Sequence, residues 1–182
     1  NYLLDRDYGY PAPDYAWMKE TVKNALPGMT YIDVFDKLQL EDYYRTDTHW
    51  RQEKILPVAQ KIADAMGVTV EQDFRKELVE RPFYGVYYGQ AALPMDPETI
   101  YMLNNPTLDR CIVRNHENGV VSKIYDMTKS PSRDLYDVFL SGAASLLTIE
   151  NPSATTDREL IVFRDSFGSS LVPLLIQDYK TV

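Results

Sequence analysis

The chain changes its hydrophobic rhythm several times, and each change marks a predicted element. Over residues 14–26 apolar positions recur at helical spacing, with Trp17 or Met18, Val22 and Leu26 on one face. Asp14 stands in front as a capping residue and Pro27-Gly28 closes the run, so a helix is predicted. Residues 30–35 alternate and are rich in β-formers, which predicts a strand. A second helical stripe, Ile55, Ala59, Ile62, Ala63 and Met66, ends at Gly67; Pro57 inside it predicts an irregular first turn rather than one straight helix from Trp50. Helix followed by strand at this end of the chain suits a doubly wound sheet. Residues 1–13, rich in Tyr, Asp and Pro, read as an irregular opening segment.

Residues 68–133 have a different texture. A short helix over 73–80 precedes the Tyr- and Gly-rich stretch 83–89, and β-like pieces follow at 99–103, 110–114 and 120–125. The last two flank Asn115-His116-Glu117-Asn118-Gly119, whose Asn-Gly pair signals a hairpin turn. The region reads as a small antiparallel β insertion within a single domain spanning 1–182. A short helix over 134–140 then stops near Gly142, a strand follows at 146–151, and 152–158 is a polar loop. Leu160 to Phe163, four apolar residues in a row, predicts a strand buried on both faces. Arg164-Asp165-Ser166 cuts it, and residues 171–176 read as helix.

A serine at a strand-to-helix turn is well placed as a nucleophile, because open α/β sheets hold ligands at the carboxyl ends of their strands. The competing reading is that Asp165 and Ser166 only cap the helix, since both are favoured cap types. A nucleophile needs a base, and the chain has two histidines. His116 falls in the predicted hairpin turn and reads as a solvated residue. His49 lies in Asp47-Thr48-His49-Trp50, where the carboxylate of Asp47 can accept the Nδ1–H, fix the tautomer and leave Nε2 to take a proton from a serine. Asp47, His49 and Ser166 therefore make a complete Ser-His-Asp set. The same region offers Asp47, His49, Glu53 and Asp165 as a divalent-cation set, but no second His stands at a ligand spacing, so no metal and no cofactor are expected.

Composition narrows the partners. Apolar content of 45% with 25% charged residues is that of an ordinary globular domain. A net charge of −8 with no basic stretch excludes a nucleic-acid partner. The 14 tyrosines suit a wet, carbohydrate-facing cleft as well as packing. Cys111 is the single cysteine, which excludes an intramolecular disulfide, and its apolar neighbours mark it as buried. No signal peptide or membrane span is present. The chain opens on Asn1 and stops at Val182 where a strand would start, which reads as a fragment of a longer protein.

Tyr43-Tyr44-Arg45-Thr46-Asp47-Thr48-His49-Trp50 and the Ile161-to-Pro173 stretch with its Arg-Asp-Ser-Phe-Gly core resemble the two motifs of the bacterial DHHW family, SGNH-hydrolase-like proteins related to the alginate O-acetylation proteins. The segments around 83–102 and 139–152 are also family-like. The resemblance implies an α/β, flavodoxin-type three-layer sandwich in permuted order, with Ser166 as nucleophile, His49 as base and Asp47 as its orienting partner. It implies an O-acetyltransferase or acetylesterase acting on a cell-surface or exported polysaccharide, outside the cytoplasmic membrane, with a membrane-bound acyltransferase as an expected partner and a leader or anchor beyond this chain to carry it there. The alternative is a non-catalytic module that keeps the fold to bind glycan or that acyltransferase. Two departures stand out. Arg164 replaces the glycine of the usual Gly-Asp-Ser block, and no Gly-x-Asn-Asp block is present, so the oxyanion donors are assigned to the Ser166 amide with Gly142 or Asn151 as the second.

Overall fold

Side-chain capping sets the first element. In a computed structural model that describes Gly9, Pro11, residues 13–92 and residues 94–182, the Asp14 carboxylate accepts the Trp17 amide at 2.9 Å and α1 (Tyr15–Ala25) follows. The irregular opening over 1–13 lies largely outside the described residues. The apolar face of α1 is present but uncovered, with Trp17 67% exposed. The strand expected at 30–35 does not form. Asp33 takes the Phe35 amide at 3.0 Å and the Lys19 ammonium at 2.9 Å, and the chain turns into a 3₁₀ turn, Phe35–Lys37. A side-chain acceptor inside the run thus competes with ladder pairing.

Pro57 acts as the sequence indicates. A 3₁₀ turn, Gln52–Lys54, leads into α2 (Leu56–Met66) with the proline in its first turn, and Gly67 ends the helix at φ 66°. The helix expected over 73–80 is instead β1 (Arg75–Leu78), paired antiparallel with β2 (Tyr101–Asn104). Pairing with β2 overrides a locally helix-compatible Arg-Lys-Glu-Leu sequence. Between them lies α3 (Val86–Ala91); after β2 come α4 (Pro106–Arg110), β3 (Ile112–Asn115), β4 (Val121–Ser122) and β5 (Leu147–Glu150). β3 is the centre of a three-stranded antiparallel sheet between β4 and β5, and the predicted Asn-Gly hairpin joins β3 to β4. Because β5 lies beyond residue 133, the sheet draws its strands from both sides of the boundary expected for the insertion. The short helix of 134–140 is a 3₁₀ turn, Leu135–Val138.

The apolar run 160–163 departs most from expectation. Glu159 makes a parallel bridge to Thr181, and the Leu160 amide donates to the Thr181 carbonyl at 3.0 Å. Residues 180–182 also pair with β5 on their other side. Beyond Leu160 no ladder continues: Ile161 is 84% and Phe163 99% exposed, so this run is not a strand buried on both faces. After it, α5 (Ser166–Leu171) runs into a 3₁₀ turn, Val172–Leu175. That turn is anchored in two hydrophobic clusters at once. Val172 and Ile176 join the cluster of Phe83, Ile100, Val113, Phe139 and Ile149, whereas Leu174 and Leu175 join that of Ile55, Val58, Ala59 and Leu103. Fully burying each such side chain contributes roughly 1.5–3 kcal/mol. The helix bearing Ser166 is therefore fixed where the two cores of a mixed α/β domain meet.

Candidate active site

The 43–50 loop closes on itself before it presents any chemistry. Tyr43 and Trp50 form an antiparallel bridge, and the Tyr44 amide donates to the His49 carbonyl at 3.0 Å. Within the loop, Asp47 Oδ1 accepts the His49 backbone amide at 3.0 Å and the ring Nδ1 at 2.5 Å, while Oδ2 accepts the Val86 amide at 2.9 Å. A carboxylate only accepts, so Nδ1 carries the proton and Nε2 presents its lone pair. Nε2 meets Ser166 Oγ at 2.7 Å and accepts its hydroxyl proton. The structure thus brings together three residues from two segments 117 positions apart. Burial alone would raise the Asp47 carboxyl, but the bonds from the His49 ring, Val86 and the His49 amide outweigh it and hold the group below its usual range.

The cap and the candidate nucleophile are separate residues. Asp165 is the N-cap, accepting the Phe167 and Gly168 amides at 3.0 and 3.3 Å. Ser166, one position later, is left to face His49. Its own amide has no acceptor among the described residues, so it is free to serve a ligand.

The other two oxyanion assignments are corrected. Gly142 lines the cavity beside Ser166, but its amide already donates to the Phe139 carbonyl at 3.1 Å. Asn151 is buried and does not line that cavity. Its amide nitrogen donates to the Ile176 and Tyr179 carbonyls and its oxygen accepts the Ser153 amide, so it secures the 176–179 turn.

Several supporting residues carry little sequence signal. The His49 ring stacks on Tyr136 with centroids 4.0 Å apart and planes at 13°, and Phe167 lies 4.9 Å away on a tilt. The Tyr136 hydroxyl and the Trp50 indole N–H both donate to Ser170 Oγ, at 2.7 and 2.9 Å, locking α5 to the histidine loop. Gly85 packs so closely that a Cβ there would lie 2.2 Å from the Thr46 carbonyl oxygen, so only glycine lets residues 85–87 brace the Asp47 loop. The glycine-rich stretch 83–89 was the visible hint of this. Glu98 gave none. Its buried carboxylate accepts the Arg45 and Thr46 amides, the Thr46 hydroxyl and the Arg51 guanidinium at 2.7–3.1 Å. Burial works to raise Glu98, and these four bonds outweigh it to hold the carboxyl below its ordinary range.

Ser166 and His49 open onto a cavity of about 530 Å³, whose lining includes Tyr136, Asp137, Gly142, Ala143, Ala144 and Arg164. The divalent-cation set does not converge: Asp47 is spent on His49 and Val86, and Asp165 on helix amides. No three His, Cys, Asp or Glu side chains among the described residues are grouped to hold a metal. His116 is an exposed hairpin residue whose ring Nε2 bonds Thr148 Oγ1 at 2.9 Å. Cys111 is buried, its thiol pushed up to about 11 by desolvation.

Comparison with known proteins bears on the fold and the family. A solved DHHW family protein from Eubacterium siraeum matches with a TM-score of 0.70 at 20% identity, covering 94% of this chain and 63% of its own. Bacillus cereus PatB1 with a sulfonyl adduct matches at 0.64 and 19% identity, covering 93% of this chain and 64% of that one. A further PatB1 structure matches at 0.52 and 18%, covering 77% and 52%. This chain thus spans less than two thirds of the length of these neighbours, and at such identities the likeness is one of fold. No curated protein matches. The profile described as DHHW protein matches residues 17–182, nearly the whole chain and both motif segments, and the chain therefore belongs to the DHHW family.

Proposed function

We propose that this chain carries the catalytic triad of an SGNH-like acyl-ester enzyme in permuted order, an O-acetyltransferase or acetylesterase. The observation that carries the reading is His49 held between Asp47 at 2.5 Å and Ser166 at 2.7 Å, with its tautomer fixed. Ser166 Oγ attacks the acetyl carbonyl as His49 Nε2 takes its proton. Collapse of the tetrahedral intermediate breaks the ester bond, and the departing alkoxide leaves with the proton from Nε2. An acetyl-Ser166 ester remains. An incoming hydroxyl gives its proton to Nε2, attacks the acetyl group, and Ser166 recovers its hydrogen from His49. A sugar hydroxyl in that role gives transfer; water gives hydrolysis. The PatB1 structure with a sulfonyl adduct supports the reading, since sulfonylation is a reaction of activated nucleophiles and that protein shares the fold.

For the substrate we favour a cell-surface or exported glycan, with the site outside the cytoplasmic membrane and a membrane-bound acyltransferase as partner. A second cavity, lined by Tyr84, Val86, Tyr88, Gln90 and Arg133, meets the catalytic one at Asp134. Tyr84 and Tyr88 stand 4.7 Å apart there, and aromatic faces flanked by polar groups suit sugar rings. The test compares wild type with Ser166→Ala on p-nitrophenyl acetate and looks for acetyl or sulfonyl adducts by mass spectrometry. Turnover and labelling of Ser166 in the wild type alone are expected. Equal rates and an unlabelled Ser166 would instead leave a non-catalytic, glycan-binding module.

A further inference from the structure

The segment that leads into one wall of the cavity beside Ser166 is strained. Leu140, Ser141 and Gly142 lie at φ 49°, 59° and 74° in succession. Residues held in that region cost on the order of 1–3 kcal/mol each when they are not glycine, and persist only where their surroundings over-determine them. Here the Leu140 amide donates to the Ile124 carbonyl at 3.0 Å, Ser141 Oγ to Asp126 at 2.7 Å, and the Gly142 amide to Phe139. The remaining tie comes from Arg164. One of its terminal nitrogens donates to the Gly142 carbonyl at 3.1 Å, the other to Ser169 Oγ at 2.6 Å and the Asp165 carbonyl at 3.3 Å.

Arg164 is an expensive choice for a tie. It is half-buried, has no salt-bridge partner among the described residues, and desolvation lowers its affinity for a proton. The turn itself does not call for glycine, because residue 164 has no positive φ. What makes room is Gly168, where a Cβ would lie 2.5 Å from Arg164 Cβ and 3.2 Å from its Cδ. Glycine is thus required at 168, where it lets an arginine stem cross the helix, and not at 164. Just past the tie, Ala143 and Ala144 line the cavity with Ser166, and their amides have no acceptor among the described residues.

We propose that Arg164 is a positioning residue: by tying Gly142 to the Ser166 turn it holds the free amides of Ala143 and Ala144 where, with the Ser166 amide, they receive the carbonyl oxygen of the tetrahedral intermediate. The inference rests on the acyl-ester reading above. With p-nitrophenyl acetate, Arg164→Gln lowers kcat about 10²-fold, the scale of one lost oxyanion donor, and leaves KM within about threefold. Gly168→Ala, which displaces the stem, gives the same split, and millimolar guanidinium restores part of the rate to Arg164→Ala. Arg164→Lys keeps charge and stem but offers one nitrogen where the two acceptors are held by two; it serves if Arg164→Gln does not fold. Independently of activity, amide hydrogen exchange over 142–145 is faster in Arg164→Gln. An active wild type with kcat unchanged in the variants, or exchange unchanged over 142–145, overturns the inference and leaves the Ser166 reading standing. A wild type that neither turns over nor labels at Ser166 overturns that reading and the oxyanion assignment with it.

Discussion

Replacing Glu98 by Gln keeps the side chain's shape and removes its charge. The carboxylate has four donors, two on each oxygen: the Arg45 amide and Arg51 on Oε1, the Thr46 amide and hydroxyl on Oε2. A glutamine best turns its carbonyl to Arg45 and Arg51, which puts its NH₂ against Thr46. The Thr46 hydroxyl can rotate to accept, but the Thr46 amide cannot, and a buried orphan donor costs about 1–3 kcal/mol. Weakening the two surviving bonds from charged to neutral adds about 1 kcal/mol. The expected loss is therefore about 3 kcal/mol, or roughly 6–12 °C in Tm for a domain of this size. Because Thr46 adjoins Asp47, the histidine loop shifts too, and kcat on an aryl acetate falls about 10–100-fold. Urea denaturation at a series of pH values supplies the control. The Glu98 carboxyl is held below its ordinary range, so its stabilisation is complete above the unfolded-state value near ~4.3 and is lost as pH falls through the lower folded value. Wild type and variant should begin to converge as pH falls below the unfolded-state value and meet once it has passed the lower folded one. A loss under about 0.5 kcal/mol at neutral pH, or a gap that persists undiminished into acid, would refute the role given to Glu98.

Two further substitutions test the charges around the triad. Asp47→Asn can donate to His49 Nδ1 and so favours the tautomer with a proton on Nε2, facing the serine; kcat falls about 10⁴-fold with the fold intact, and retention within tenfold of wild type would remove Asp47 from the mechanism. Glu53, by contrast, is a carboxylate whose burial raises its pKa and whose Oε2 is buried without a hydrogen-bond partner among the described residues. Its ionised form is penalised in the folded state, so Glu53→Gln stabilises the domain by about 0.5–2 kcal/mol at pH 7. That gain fades as pH falls through the raised folded value toward the unfolded one, and a destabilised variant in neutral urea melts would contradict it.

What the sequence disclosed and what it hid follow from how local each feature is. Asp14, Pro57, Gly67 and the Asn-Gly pair act on their own neighbours, and the structure places a helix start, an irregular first turn, a helix stop and a hairpin where they stand. Asp47-x-His49 is local in the same sense, since its short bond spans two residues. The apolar run 160–163 and the helix-compatible stretch 73–80 carry only local signals, whereas their structure depends on which segments pair. Pairing with residues 180–182 stops at Leu160, and β2 claims 75–78 as a strand. Glu98 lies 52 residues from the Thr46 it braces, with no pattern to announce it. Asn151 misled for the complementary reason: an amide side chain before a turn looks available until its three bonds are counted.

Arg164 in place of glycine illustrates a rule about where flexibility is needed. A glycine ahead of Asp-Ser is needed only if that residue adopts a left-handed conformation or if something must pass close to it. Neither holds at 164, whereas both kinds of demand appear nearby: Gly142 has positive φ, with Asp137 Oδ1 2.1 Å from where its Cβ would be, and Gly168 lies under an arginine stem. The site is built largely on two irregular segments, 43–50 and 140–145, and on the first turn of the short helix α3, none of which lies in a sheet ladder. Their precision must come instead from side chains that reach across: Glu98 to Thr46, Asp47 to Val86, Ser141 to Asp126, Arg164 to Gly142. A charged group at one end of each tie makes it stronger than a neutral hydrogen bond, and directional, which neutral packing against a loop would not be. The buried charges around this triad are therefore accounted for as the means by which loops hold a geometry that helices and strands would otherwise supply.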